Sequence, residues 1–264
     1  CNPSRSSFLT GLRLPSTGVW GNNDKMDDHL PPGTVTLPEM AKRAGFYTAD
    51  VAKLFHRTEF AVQAMGSFDR LELTQRPSGW QGPDPILKFP PIPEHLRRGP
   101  PPTKDRNSKP YREWRRSHSD KYGVSGLSDE QEPDGRIART AAALIKEFAA
   151  ADRRFFLCVG SSRPHTPLTC PKKYIDMYPP SEIPLPEARP SDDPEFPYRS
   201  RSTGSNPDIF SRQQATPEQT REAIAAYYGC VTFVDAGIGM ILDTLEEQGL
   251  ADNTIVVFFA DHGF

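Results

Sequence analysis

The chain opens with Cys1-Asn2-Pro3-Ser4-Arg5-Ser6-Ser7-Phe8-Leu9-Thr10-Gly11, and this stretch predicts a helix with reactive groups at its start. Pro3 suits the first turn because its φ is already helical, and Asn2 before it is a good N-cap. Cys1 then lies at a helix N-terminus, where unpaired N–H groups and the helix dipole favour anions. Arg5 can lean back to the same point. A cysteine beside a fixed cation indicates chemistry on an anionic group.

The same stretch has a plainer interpretation. Cys1 could be an ordinary small buried residue ahead of an amphipathic helix whose Phe8 and Leu9 face a core. The physical chemistry of these residues alone leaves both interpretations open.

Length and composition exclude several classes of protein. A chain of 264 residues fits one large domain or two small ones. Its net charge of −2, from 34 acidic and 32 basic residues, gives no sign of a nucleic-acid partner. We expect no membrane span, because no apolar run approaches the necessary length. Four cysteines are too few for a disulfide framework in a chain this long, and they do not indicate a redox compartment.

Three apolar segments are predicted to form strands, and two strong helices precede the later two. The strands are 46–52, 154–160 and 254–260, and the second and third have the continuous apolar character of buried strands in a parallel sheet. One helix begins at Asp134, and the other begins at Thr216 with a capping pattern and is ended by Gly249. A shorter helix is predicted over 37–44, before the first strand. These helices and strands alternate along the chain, which is typical of the α/β class.

Two Pro-rich stretches separate these elements, at about 57–133 and 178–209. Ten prolines lie between Pro77 and Pro110, so we expect mostly irregular structure there. The histidines of the first stretch, His95 and His118, have no carboxylate or cysteine at metal-ligand spacing and are interpreted as solvated loop residues.

Ionisable residues follow each predicted strand at its carboxyl end. They are Lys53 and His56, Arg163 and His165, and Asp261 and His262. Each pair alone could be an ordinary solvated loop or turn. Ligands of open α/β sheets bind at the carboxyl ends of the strands, so parallel strands would bring all three pairs to one place.

The motifs together resemble those of the type I sulfatases, formylglycine-dependent enzymes of the alkaline phosphatase superfamily. Cys-x-Pro-Ser-Arg followed by Ser-Phe-Leu-Thr-Gly is similar to the family's signature, in which the cysteine becomes formylglycine. Residues 52–56 are similar to its Gly-Lys-x-x-His element. Residues 159–167 are similar to the segment that places a histidine on the sulfate, and residues 258–263 to its second metal-binding strand. The Asp-His-Gly of that strand is most similar to the iduronate-2-sulfatase branch.

The resemblance implies an α/β/α sandwich around a mainly parallel sheet, alkaline phosphatase/sulfatase-like and incomplete at both ends. Residues 1–264 would be the central part of the catalytic domain, with the two Pro-rich stretches as loop insertions. The family's first metal-binding strand would lie upstream of Cys1 and a sulfate-binding lysine downstream of Phe264. We therefore expect residues 1–264 by themselves to be inactive.

The resemblance also implies a role for each site residue. Cys1, as formylglycine hydrate, would be the nucleophile of a sulfate ester hydrolase, and Arg5 would hold the hydrate. His56 would be the base that expels sulfate. Lys53 and His165 would contact the sulfate oxygens. A divalent metal would be held by Asp261, His262 and the modified Cys1. The resemblance favours Ca²⁺, with Mg²⁺ as the alternative.

Three departures from the family pattern bear on these roles. Ala52 stands where the family usually has glycine. His262 stands where most sulfatases have asparagine, and a nitrogen ligand is unusual for Ca²⁺. Ser162 replaces a histidine of the iduronate branch, so the substrate could differ from iduronate.

The resemblance implies a sulfated small molecule or glycan, plausibly a sulfated carbohydrate, as the substrate. It also implies a formylglycine-generating enzyme as a maturation partner. Family members are commonly exported, to the periplasm or outside the cell, or lysosomal. One alternative function is hydrolysis of phosphate or phosphonate monoesters within the same superfamily. Another is an inactive relative that only binds sulfated glycans.

Overall fold

The computed structural model describes residues 1–56, 65–73, 99–105, 108–118, 121–186 and 215–261. The chain divides into two compact units. The first unit holds residues 1–89, 136–162 and 237–264, and the second holds residues 90–135 and 163–236. Each unit is described separately below.

Four helices precede the first strand. They are α1 (Asn2–Thr10), α2 (Leu14–Thr17), α3 (Met26–His29) and α4 (Leu37–Arg43). The prediction that Asn2 caps α1 is wrong: Cys1 is the N-cap residue and Asn2 is the first helical residue. The predicted stop of α4 is correct, since Gly45 follows with a left-handed φ of 82°.

The described strands are β1 (Tyr47–Ala52), β2 (Arg70–Glu72), β3 (Tyr122–Val124), β4 (Phe155–Gly160) and β5 (Leu168–Cys170). In the first unit they form a sheet in the order β2-β1-β4, and every pairing is parallel. The β1–β4 register runs from Tyr47 opposite Phe155 to Ala52 opposite Gly160. The predicted α/β fold with a mainly parallel sheet is confirmed.

Two apolar clusters pack against this sheet. One contains Leu9 of α1 and Met26 of α3 and extends to Cys158 of β4. The other contains Ala49 and Val51 of β1, which pack on a helix that spans Pro133–Ala150. Because successive strand residues point to opposite faces, the two clusters cover opposite sides of the sheet.

The helix predicted to begin at Asp134 is confirmed, and one of its faces is buried. This helix, α6, spans Pro133–Ala150, and an earlier helix, α5, spans Lys109–His118. Five apolar residues on this face of α6 are all at most 3% exposed: Ile137, Ala141, Leu144, Ile145 and Phe148.

The second unit contains a small parallel sheet of β3 and β5, the short helix α7 (Lys172–Ile175) and most of the helix α8 (Pro217–Glu247). The predicted capping of α8 is confirmed. The Thr216 amide donates to Gln219 Oε1 at 3.0 Å, and the Gln219 amide donates to Thr216 Oγ1 at 3.2 Å. This reciprocal pair satisfies two backbone donors at the helix start. Single 3₁₀ turns occur at Pro180–Glu182 and Ala251–Asn253.

The helix α8 is long and apolar enough to cross a membrane, judged by length and composition alone. The sequence analysis anticipated no such run. One helix of this kind is weak evidence, because core helices of soluble proteins meet the same criterion. In the second unit, Ala226, Cys230 and Phe233 of α8 are buried against β5 and α7.

Three expectations about regular structure need correction. Residues 57–133 contain the ten-residue helix α5, since Pro110 lies in its first turn, where a missing N–H costs nothing. β4 is only partly buried, with Val159 37% exposed. The segment 254–260 is not a strand, because none of the described strands pairs with it, and its apolar side chains from Ile255 to Phe259 are more than half exposed.

Candidate active site

Arg5 is the centre of the polar contacts in the first unit. Its Nη1 donates to the backbone oxygens of Lys53 and Leu54, each at 2.6 Å. Its Nε donates to Asp261 Oδ2 at 3.0 Å, in an ion pair whose side chains are 11% and 20% exposed. Ser4 Oγ donates to the backbone oxygen of Asp261. The helix α1, the turn after β1 and the end of the 254–261 segment therefore meet at one guanidinium group.

Cys1 lies beside this group at the start of α1. It is half-buried, its thiol is not in a disulfide, and its side chain makes no capping hydrogen bond. The side chains of Arg5, Lys53 and Asp261 all act electrostatically at the backbone nitrogen of Cys1. Those three side chains therefore lie near Cys1, as the predicted site requires.

The turn after β1 brings Lys53 to this point. Ala52 has a φ of 70°, a left-handed conformation that costs an L-residue about 1–2 kcal/mol and that glycine adopts freely. The turn thus explains physically why glycine suits this position in the family motif. The Lys53 amide donates to the Gly160 oxygen at 3.2 Å, which continues the β1–β4 pairing by one residue. His56 follows three residues later and is half-buried.

His165 belongs to the second unit, on a segment anchored by Arg163. The Arg163 Nε donates to the Thr169 oxygen at 2.7 Å, and its Nη2 lies 3.9 Å from the carboxylate of Glu132. Glu132 is 1% exposed, and burial raises its pKa against the attraction of Arg163. His165 is exposed, and its Nδ1 donates to the Thr166 oxygen at 2.8 Å. Nε2 is then the ring nitrogen available to a substrate.

The metal site is the part of the prediction that the structure supports least. His262 lies outside the described residues, so its position stays a prediction. Within the described ranges, no group of three or more histidine, cysteine, aspartate or glutamate side chains could hold a metal ion. Of the two predicted metal ligands that follow the third apolar segment, only Asp261 is described, and its Oδ2 accepts a hydrogen bond from Arg5. The described residues alone therefore do not form a cation site.

Asp50 is a buried carboxyl group that the sequence analysis did not single out. It lies in the middle of β1, is 0% exposed, and neither side-chain oxygen has a hydrogen-bond partner among the described residues. Burial raises its pKa well above the usual range, and the attraction of Arg5 only partly opposes this. The sequence signal that could have identified it is a single carboxylate within the predicted strand β1.

Asn2 also has a role that sequence reasoning missed, since it fastens a loop beside Cys1. Its Nδ2 donates to the oxygens of Gly21 and Asp24 at 3.1 and 2.8 Å. The Asp24 carboxylate accepts from the amides of Trp20 and Gly21 at 2.8 and 2.7 Å, and these bonds lower its pKa. The loop 20–24 is therefore fixed next to the start of α1, and Trp20 on it is 63% exposed.

Three curated proteins of similar sequence are all described as sulfatases. The chain is 32% identical over its whole length to a protein described as a sulfatase from Formosa agariphila, and it covers 49% of that protein. It is 28% identical to the iduronate 2-sulfatase of Mus musculus and 26% identical to the choline-sulfatase of Rhizobium meliloti, covering 46% and 48% of them. The chain thus spans about half the length of these curated relatives.

Similar solved structures show the same fold. A phosphonate monoester hydrolase from Silicibacter pomeroyi superposes with a TM-score of 0.70 at 24% identity, over 100% of this chain and 53% of that one. A protein described as a putative sulfatase from Bacteroides fragilis gives a TM-score of 0.52 at 20% identity, over 99% and 51%. The model of the family named Sulfatase matches residues 1–264. This chain belongs to the sulfatase family.

Proposed function

We propose that the full-length protein hydrolyses a sulfate ester with Cys1, matured to formylglycine, as its nucleophile. The observation that carries the proposal is the arrangement around Cys1. A half-buried cysteine at a helix N-terminus is flanked by the cations of Arg5 and Lys53. A doubly oxygenated carbon at this position would face positive charge on the side where an anionic sulfate ester must bind.

The proposed reaction has two steps. In the first, one hydroxyl of the formylglycine hydrate loses its proton to solvent and attacks sulfur, the S–O bond to the alcohol breaks, and the alcohol leaves with a proton supplied by His165. In the second, a base removes the proton of the remaining hydroxyl, the C–O bond to sulfate breaks, and the restored aldehyde adds water to re-form the hydrate. His56 is the proposed base. The covalent intermediate divides one difficult displacement into two easier steps.

Arg5 is proposed to hold the hydrate and Lys53 to bind the sulfate oxygens. Arg5 suits this role because three of its hydrogen bonds go to fixed protein groups, so its position is set before substrate arrives. Asp261 and His262 are the proposed ligands of a divalent cation, Ca²⁺ or alternatively Mg²⁺, which would polarise the sulfate. The steps above rest on the chain's own residues.

The loop 20–24 supports a carbohydrate as the alcohol part of the substrate. Trp20 offers a large exposed aromatic surface on a loop fastened to Asn2, the residue next to the nucleophile. A flat apolar ring beside a sulfate-binding point is suited to the apolar face of a pyranose.

We expect Trp20→Ala to weaken hydrolysis of a sulfated sugar selectively. With a pyranose 6-sulfate as substrate, kcat/KM should fall about two- to tenfold, since a stacking contact of an aromatic ring is worth about 0.5–1.5 kcal/mol. With choline sulfate or 4-nitrophenyl sulfate the fall should be smaller. Met40→Ala, at another exposed apolar residue of the first unit, is the matched control. A loss confined to choline sulfate would instead assign the ring to a quaternary ammonium group.

A direct comparison of esters tests the proposed function. The full-length protein, expressed with a formylglycine-generating enzyme, should hydrolyse aryl sulfates faster than aryl phosphates or phosphonates. The mass of the peptide containing Cys1 should fall by the difference between cysteine and formylglycine. Faster phosphonate hydrolysis would favour a monoester hydrolase of the same superfamily. An unconverted thiol, with sulfated glycan bound but not hydrolysed, would favour an inactive binding protein.

A further inference from the structure

We infer that Gly160 is a positioning residue of this site, because only a residue without a side chain lets the Lys53 peptide lie where Arg5 needs it. The inference rests on the proposed function for its kinetic test and on geometry alone for its structural test. It concerns the last residue of β4, which the motif comparison included without assigning it a role.

The geometry at Gly160 is unusually close. A Cβ built on Gly160 would lie 2.2 Å from the Lys53 oxygen, 2.3 Å from its carbonyl carbon and 2.7 Å from its nitrogen. Contacts below 3.0 Å essentially never occur for a real Cβ, and the atoms met here are backbone, which cannot swing away as a side chain can. Any larger residue at this position must therefore displace the Lys53 peptide by about 1 Å.

The Lys53 peptide is connected directly to the site. Its carbonyl oxygen accepts from Arg5 Nη1 at 2.6 Å, and its amide donates to the Gly160 oxygen at 3.2 Å. The left-handed conformation of Ala52 turns the chain immediately before it. Arg5 in turn donates to Asp261. Displacing the peptide would move both the Lys53 side chain and the acceptor that fixes the guanidinium group.

The kinetic test compares Gly160→Ala with wild type in the full-length, formylglycine-containing protein, using 4-nitrophenyl sulfate. A displacement of about 1 Å in a catalytic group can cost on the order of 100-fold in rate, so kcat/KM should fall about 100-fold. Gly239→Ala is the matched control, because a Cβ there meets nothing within 4 Å, and it should keep the wild-type rate.

A second readout does not depend on activity. With ¹⁵N-labelled arginine, the Arg5 Nε–H resonance can be assigned by its loss in Arg5→Lys. It should shift in Gly160→Ala and stay unchanged in Gly239→Ala. If the wild type hydrolyses no sulfate ester, the proposed function fails, and this resonance still decides the role of Gly160.

The double variant Ala52→Gly/Gly160→Ala separates positioning from simple destabilisation, and it replaces the single variant if that one does not fold. Glycine at position 52 relaxes the turn, so the unfolding temperature should recover while the low rate and the shifted resonance persist. Recovery of the wild-type rate together with stability would overturn the inference. An unshifted Arg5 resonance in a folded Gly160→Ala protein would overturn it as well.

Discussion

Replacing Cys1 by alanine should reduce turnover of a sulfate ester by about 10⁶-fold, the scale seen when the nucleophile of another hydrolase is removed. The fold should persist, because the Cys1 side chain is half-buried and makes no capping hydrogen bond. The measurement is the steady-state rate of the full-length protein, with circular dichroism as the check on folding. Activity close to wild type in this variant would rule out the proposed mechanism.

The variant His56→Ala shows whether the loss of turnover in Cys1→Ala is due to loss of the nucleophile. His56→Ala should still release one equivalent of alcohol, because His56 is proposed to act only after sulfur transfer. It should then accumulate protein carrying a covalent sulfate, detectable by intact mass. Cys1→Ala should show neither the single release nor the adduct. An unchanged steady-state rate in His56→Ala, with no adduct, would remove His56 from the mechanism.

Replacing Arg5 by alanine should have the second largest effect, and it should destabilise the fold as well as stop turnover. The change removes the ion pair with the Asp261 carboxylate and the hydrogen bonds that Arg5 donates to two carbonyl groups. Breaking a buried ion pair from one side costs about 3–5 kcal/mol. We expect about 3 kcal/mol in the free energy of unfolding, because Asp261 keeps 20% exposure. Denaturant unfolding measures this loss.

Arg70→Ala is the matched control for Arg5. Arg70 forms an ion pair with Glu72 at 2.7 Å, but its side chain is 46% exposed, so its loss should cost less than about 1 kcal/mol. Arg5→Lys should keep the charge and lose most of the activity, since an ammonium group cannot make the three directed bonds of the guanidinium. Equal losses in Arg5→Ala and Arg70→Ala would contradict the central role given to Arg5.

Local sequence signals predicted the elements whose determinants are themselves local. Thr216, Pro217 and Gln219 identify the start of α8 because a capping box is complete within four residues. The apolar face of α6 is visible because burial repeats along a single helix. The prediction of a strand over 254–260 was wrong for the opposite reason. A strand forms only by pairing with another strand, and the sequence of the segment does not specify that partner.

The candidate site likewise has features that the sequence predicts and features that it does not. The position of Lys53 just after a strand could be predicted from the sequence, because the strand itself could be predicted. The contacts from Arg5 to the carbonyl groups of Lys53 and Leu54 could not be predicted, since they join a side chain to backbone oxygens about fifty residues further along the chain. The close approach at Gly160 is likewise a property of how two strands end beside each other. Residue types therefore predicted which side chains to consider for the site, whereas the contacts that position them depend on the folded chain.

The buried carboxyl group of Asp50 links folding to the uptake of a proton. Its pKa in the folded chain lies well above the value of about 3.9 that it has when unfolded. Between these two values the folded state holds a proton that the unfolded state has released. The contribution of this residue to stability is thus greatest in acid and declines by about 1.4 kcal/mol per pH unit as pH rises through that interval. Asp50 therefore makes mildly acidic solution the more protective environment for this sheet, an effect that Asp50→Asn would abolish.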